Sequence, residues 1–213
     1  MVIFMIGSST AFPQTIAEYL GTAGHDIHLL GRDTLDYTKP AQMEKHLKTL
    51  PDPDIVVFNQ RVVGGEVSKY SRSNTVDMLY LDDFEKFKSL NDENLADSFY
   101  GKLAIYDILK DCKQFVFITS SITKHTLEYG FRHLAYRYLR GAEQQLMKCI
   151  ALESGKTAYG LCPGGMDANP EKFAIATAKI INGELEEEDY VSLNSNVTLV
   201  SSIPQSKAFL DEQ

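Results

Sequence analysis

Val2-Ile3-Phe4-Met5-Ile6-Gly7-Ser8-Ser9-Thr10-Ala11-Phe12-Pro13 is the stretch on which the architecture turns. Its first five residues are apolar without a polar break, the pattern of a strand covered on both faces. The run is too short for a membrane span, and no basic segment precedes it, so it reads as a buried strand rather than a signal peptide. Gly7 ends it. Residues 14–23 then place Ile16, Ala17 and Leu20 on one helical face, and Pro13 suits the first turn, where its missing N–H costs nothing.

The same alternation continues outward. Strands are expected at 27–30, 54–58, 115–119, 157–161 and 190–193, with a very short one at Leu35-Asp36-Tyr37-Thr38. Helices are expected from Pro40 to about residue 50 and at 92–112, 131–153 and 170–182, with a short helix at 82–89 inside the polar stretch 61–90. Apolar strands alternating with helices imply a parallel sheet with helices on both sides. The expected fold is therefore α/β: a Rossmann-type, doubly wound parallel β-sheet in three layers. No repeat, low-complexity run or linker interrupts it, so residues 1–213 are expected to form one domain. Ligands of such sheets bind at the carboxyl ends of the strands. The segments that follow the strands are thus the candidate site.

After the first strand, Gly7, Ser9, Thr10, Ala11 and Phe12 form either a phosphate-binding turn on a helix N-terminus or an ordinary capped turn. After the second comes Gly31-Arg32-Asp33. An acidic residue there grips the ribose of NAD, while an arginine accommodates the 2′-phosphate of NADP. Arg32 favours NADP, Asp33 favours NAD, and both also suit a solvated loop.

Taken in order, these segments resemble the short-chain dehydrogenase/reductase family. The glycine turn is followed by a loop with Asp36 and Tyr37, at the place where the family meets the adenine. Phe58-Asn59-Gln60-Arg61 stands where the family has Asn-Asn-Ala-Gly. Asp92-Glu93-Asn94-Leu95 matches the helix that carries the family's asparagine. Phe117-Ile118-Thr119-Ser120-Ser121 matches the serine strand, Tyr136-Arg137-Tyr138-Leu139-Arg140 the Tyr-x-x-x-Lys helix, and Cys162-Pro163-Gly164-Gly165-Met166 the Pro-Gly strand end. The chain departs from the family at Ala11 and Pro13, which replace two glycines, at Gln60-Arg61, and at Arg140, which replaces lysine. The short segment between Arg32 and Asp36 is similar to the sugar-nucleotide reductase branch.

The resemblance implies an oxidoreductase that reduces the carbonyl of a small molecule, or oxidises its alcohol, with NADPH preferred and NAD the alternative. Tyr136 would be the acid and Arg140, one helical turn away, its cationic partner. Ser120 or Ser121 would hold the substrate oxygen, and Asn94 would support them. Gly7, Ser9, Thr10, Ala11, Phe12, Arg32, Asp36, Tyr37, Asn59, Gln60, Arg61, Pro163, Gly164 and Met166 would bind the cofactor. Arginine keeps the charge but cannot relay a proton as an ammonium can. A slowed enzyme follows, or a degenerate nucleotide- or protein-binding module, or a fold whose cofactor site is lost. The family also implies a homodimer or tetramer.

Composition narrows the partners. A net charge of −8 argues against nucleic acid and anionic membranes. Cys112, Cys149 and Cys162 show no disulfide or zinc spacing and read as packing residues in a reducing, cytoplasmic setting. His125 and His133 lack a metal-ligand pattern, so no metal is expected. The acidic run 184–189 reads as a solvated turn.

Overall fold

The computed structural model describes residues 1–7, 11–31, 33–36, 39–59, 101–118, 134–154, 156–162, 170–183 and 198–200. The elements in chain order are β1 (Val2–Ile6), α1 (Ala11–Thr22), β2 (Asp26–Leu30), α2 (Pro40–Leu47), β3 (Ile55–Phe58), α3 (Gly101–Leu109), β4 (Gln114–Ile118), α4 (Leu134–Ser154), β5 (Thr157–Cys162), α5 (Pro170–Ile181) and β6 (Thr198–Val200).

The strands form one sheet in the order β2-β1-β3-β4-β5-β6. The first five run parallel, and β6 lies antiparallel to β5. Alternate residues on each strand feed opposite faces, as the two-residue period of a strand requires. Phe4, Ile6, Val56, Phe58, Phe115 and Phe117 join one core with Met43 and Leu47 of α2, Ile105 and Leu109 of α3, and Leu146, Met147 and Ile150 of α4. Ile3, Met5, Ile55, Val57, Val116 and Ile118 join the other with Ile16 and Leu20 of α1 and Ala174, Ala178 and Ile181 of α5. Three layers result: α1 and α5, the sheet, then α2, α3 and α4. This is the Rossmann-type doubly wound α/β fold expected from the sequence.

The two faces are filled differently. The α2–α4 face is aromatic, with Phe58 against Phe117 at 4.8 Å between centroids and Tyr106 tilted on Phe115 at 5.4 Å. Such pairs add to the burial of their own area. On the other face Ala174 and Ala178 give α5 a low profile against α1.

At the edge away from the strand ends, polar groups fix the register. The Val2 amide donates to the Asp54 carboxylate at 2.8 Å, and Lys113 pairs with the same carboxylate at 2.5 Å. The Lys113 bond, and then the Val2 amide, hold Asp54 below the usual carboxylate range. His25 bridges the terminal amine of Met1 and the Asn182 side chain, joining β1 to the end of α5.

One expected strand is corrected. Leu35 and Asp36 are not in a strand but follow a tight turn, and Tyr37 and Thr38 lie outside the described residues. The Thr34 and Leu35 amides donate to the Gly31 carbonyl at 3.1 and 2.8 Å, and the Gly31 amide donates to the Thr34 hydroxyl at 3.2 Å. Closing this turn drops Leu35 into the core, where it is buried with Met43 and Leu47. The apolar signal at Leu35 thus belongs to a loop anchor. Helix α1 starts at Ala11, earlier than expected, with Pro13 in its first turn. The expected helix at 82–89, the first part of that at 92–112 and the strand at 190–193 lie outside the described residues. The strand observed towards the end is β6.

Candidate functional site at the carboxyl edge of the sheet

The parallel register sets the strand ends level. Ile6 pairs with Leu30 on one side and with Phe58 on the other, Phe58 with Phe117, and Ile118 with Leu161. Gly7, Gly31 and Asn59 therefore emerge side by side. From β1 the chain passes to β2 on one side and later returns to β3 on the other. The winding direction reverses between β1 and β3, and in doubly wound sheets the ligand crevice opens at that reversal.

The reversal is stitched by specific bonds. The Gly7 amide donates to the Leu30 carbonyl at 2.8 Å, and the Asn59 amide to the Ile6 carbonyl at 2.9 Å. The Asn59 side-chain amide donates to the Gly7 carbonyl at 3.0 Å. Gly7 has φ 91°, a region that side-chain-bearing residues rarely occupy. The one glycine of this segment that the short-chain dehydrogenase pattern shares with the chain is thus the one whose backbone demands it. Beyond it α1 begins at Ala11, and its first turn carries no acidic residue.

Of the other expected site residues, Ala11 and Phe12 open α1, and Phe12 packs half-buried against the α1–α5 core. Asp36 pairs with Lys39 at 2.9 Å immediately before α2. The hydrogen bond and charge of Asp36 raise the Lys39 ammonium above its ordinary value. Positions 136 and 140 lie in the first two turns of α4. Ser9, Thr10, Arg32, Tyr37, Gln60, Arg61, Asn94, Ser120, Pro163, Gly164 and Met166 lie outside the described residues.

Two features escape the sequence reading. The first is Thr34, whose hydroxyl shapes the loop after β2. The second is an ion pair between Lys102 of α3 and Glu143 of α4, with side chains 2% and 5% exposed. A signal for it exists: Glu143 falls in the register of Leu146, Met147 and Ile150, and Lys102 in that of Ile105, Tyr106 and Leu109. A charge at a core-facing position in each of two helices calls for a partner.

Cys112 is a poor nucleophile. Burial pushes its thiol up to about 11, and the thiol donates to the Gln114 carbonyl at 3.5 Å. Among the described residues no three His, Cys, Asp or Glu side chains cluster as metal ligands, and no helix is long and apolar enough to cross a membrane.

The architecture and the reversal point define a Rossmann-type doubly wound α/β fold. More narrowly, the fold is that of the short-chain dehydrogenases. A small-chain dehydrogenase superposes on 83% of this chain and 87% of its own, with a TM-score of 0.63 and 12% identity. A small-chain dehydrogenase in complex with NADPH covers 87% of this chain and 82% of its own, with a TM-score of 0.60 and 13% identity. A 3-alpha-hydroxysteroid dehydrogenase from Pseudomonas sp. B-0831, complexed with NADH, covers 85% and 88%, with a TM-score of 0.55 and 16% identity. The chain spans 46% of the length of another similar structure, DdhaC, with a TM-score of 0.54 and 16% identity. No family model and no curated protein matches the sequence.

Proposed function

We propose that the protein is a nicotinamide-nucleotide-dependent oxidoreductase acting on the carbonyl, or the corresponding alcohol, of a small molecule. The observation that carries this reading is the glycine turn at the reversal point: Gly7 at positive φ, its carbonyl held by buried Asn59, leading into a helix N-terminus free of acidic side chains. Those features fit a pyrophosphate, which needs close backbone approach and a helix N-terminus without competing negative charge. The similarity to dehydrogenases solved with NADH and NADPH supports a nicotinamide nucleotide. Gly7, Ser9, Thr10, Ala11 and Phe12 would receive the pyrophosphate, and Asp36 and Tyr37 the adenine. Asn59, Gln60, Arg61, Pro163, Gly164 and Met166 would bound the remainder. Arg32, after β2, would meet a 2′-phosphate and favour NADPH.

When bound, the nicotinamide supplies or accepts hydride. The chain's own residues handle the proton. Tyr136, with an ordinary pKa of about 10, donates its phenolic proton to the carbonyl oxygen. Arg140, four residues on, stabilises the phenolate that remains. The Ser120 hydroxyl donates a hydrogen bond to the substrate oxygen as negative charge develops there, and Asn94 supports the arrangement. The same reading takes residues 1–213 as one domain and the protein as a cytoplasmic homo-oligomer.

The test is calorimetric titration with NADPH and with NADH, followed by a carbonyl panel. Micromolar binding of one nucleotide, with turnover that Tyr136→Phe abolishes, is expected. Binding without any hydride transfer would make the protein a nucleotide-binding module, the reading that Arg140 and Gln60-Arg61 favour. Failure to bind either nucleotide at millimolar concentration would overturn both.

A further inference from the structure

We infer that the buried Lys102–Glu143 ion pair is a positioning device that sets the height and rotation of the first turns of α4. Both side chains are almost fully buried, and they join two helices of one layer across 41 residues of sequence. Below the pair, towards the end of α4, the contacts are apolar: Leu146, Met147 and Ile150 against Phe115, Phe117 and α3. Apolar contacts of this kind do not select one register sharply, because a helix can shift or turn slightly and repack. A buried ion pair does select one, since drawing two buried charges apart costs far more than sliding one apolar contact past another.

The position of the pair along α4 gives it this role. Glu143 precedes the end of the helix at Ser154 by eleven residues, about 16 Å of axis, which is close to the length of a five-residue strand. The pair thus sits about level with the carboxyl edge of the sheet, and the turns holding positions 136 and 140 begin just beyond it. Positions 136, 140, 143 and 147 also follow helical spacing of four, three and four residues, which keeps them on one face. Fixing the azimuth of 143 therefore fixes that of 136 and 140. A slip of one residue would turn the stripe by about 100°.

The inference deepens the oxidoreductase reading and rests on it for the consequence in turnover, but not for the structural effect. The test uses the full chain and three variants. In K102M/E143L the charges are replaced by apolar groups of similar size, and the thermal midpoint is expected to hold or rise. Amide exchange across residues 134–142 should nevertheless accelerate by about tenfold or more, as local opening becomes easier. The charge-swapped K102E/E143K should restore slow exchange, and the singly altered E143Q should lower the midpoint. With a substrate in hand, K102M/E143L should lower kcat about tenfold with little change in the nucleotide KM, and the swap should recover it. Unchanged exchange across 134–142 in a folded K102M/E143L overturns the inference. So does failure of both double variants to fold, which would make the pair a stability element alone. Faster exchange in a protein that binds no nucleotide would uphold the positioning role while the oxidoreductase reading falls.

Discussion

Replacing Asn59 by alanine isolates the bond on which the candidate site rests. Asn59 is 7% exposed, so water has little access to take over its duties. Its side-chain amide donates to the Gly7 carbonyl at 3.0 Å. Alanine removes that donor, leaves the half-buried Gly7 carbonyl without it and opens a small void. The lost bond and the half-buried acceptor it leaves, which water can partly reach, together cost about 1–2 kcal/mol. For a chain of this length each kcal/mol moves the thermal midpoint by roughly 2–4 °C, so a fall of about 2–8 °C is expected. Urea unfolding should show the loss in the midpoint with an unchanged slope, because the extent of folded structure is the same. Asn59→Asp adds a check on the sign. At neutral pH it sets a carboxylate oxygen against the Gly7 carbonyl and should destabilise more than alanine does. On acidification the protonated carboxyl regains a donor, so its deficit should shrink while that of Asn59→Ala does not. If nucleotide binds at this turn, Asn59→Ala should also weaken it about tenfold at a temperature where the variant is folded. A stability loss below about 0.5 kcal/mol would refute the reasoning, since it would mean that the Gly7 carbonyl has no need of Asn59.

Further outcomes follow from other sites. Gly7→Ala forces a side chain into φ 91° and should cost about 1–3 kcal/mol by chemical denaturation and, on the proposed function, nucleotide affinity as well. Thr177 is fully buried in α5 with its hydroxyl unpartnered. Thr177→Val should therefore stabilise the fold by about 1 kcal/mol, read in the same experiment. Asp54 is held below its ordinary value of 3.8 in the folded state, so its contribution is fully present above that value. It is lost as pH falls through the lower folded value, and Asp54→Asn should accordingly flatten the acid limb of the stability profile below about pH 4. Cys149, expected from the sequence to be a packing residue, is instead exposed on α4 and should react with a thiol reagent at neutral pH while buried Cys112 stays protected until unfolding; mass mapping of the modified peptides distinguishes them.

The elements most legible in the sequence are those whose composition serves a single purpose. β1, β3 and, after Gln114, β4 are continuous apolar runs because both of their faces are covered, and Pro40 marks the start of α2 because a first turn tolerates it. Leu35 shows where composition stops short. One buried apolar residue in a loop looks like the start of a strand, and only the turn closed by Thr34 on Gly31 separates the two. β2 is a weaker signal for a related reason: its position beside β1 alone leaves Leu29 40% exposed and admits Asp26 and His28. In the candidate site, Gly7 and Asn59 are legible by type and by place after a strand. That Asn59 spends its amide on the glycine turn depends on strand neighbourhood, which no local pattern records. Lys102 and Glu143 are harder still, because their meaning arises only when α3 and α4 share a layer.

The departures from the family pattern weigh differently once the fold is known. Pro13 looks damaging in sequence, since it stands where a glycine permits close packing. In the structure it is the third residue of α1, where its missing N–H has no intrahelical partner to lose. Ala11 is the first residue of the same helix and is equally compatible with it. The requirement for positive φ falls on Gly7 alone among these three positions, and Gly7 is retained. The altered glycine pattern is therefore a weak argument against nucleotide binding, because the substitutions fall where helix α1 tolerates them. Arg140 is a stronger argument against turnover, because guanidinium and ammonium differ in the chemistry they support and not merely in fit. Cofactor binding and hydride transfer are thus separable questions in this chain. On the proposed function, retained binding with an impaired rate is the outcome these substitutions favour, and Arg140→Lys, measured for kcat against nucleotide affinity, addresses the second question without disturbing the first. A rise in kcat of about tenfold at unchanged affinity is expected. A fall in kcat would show that the site has been rebuilt around the guanidinium.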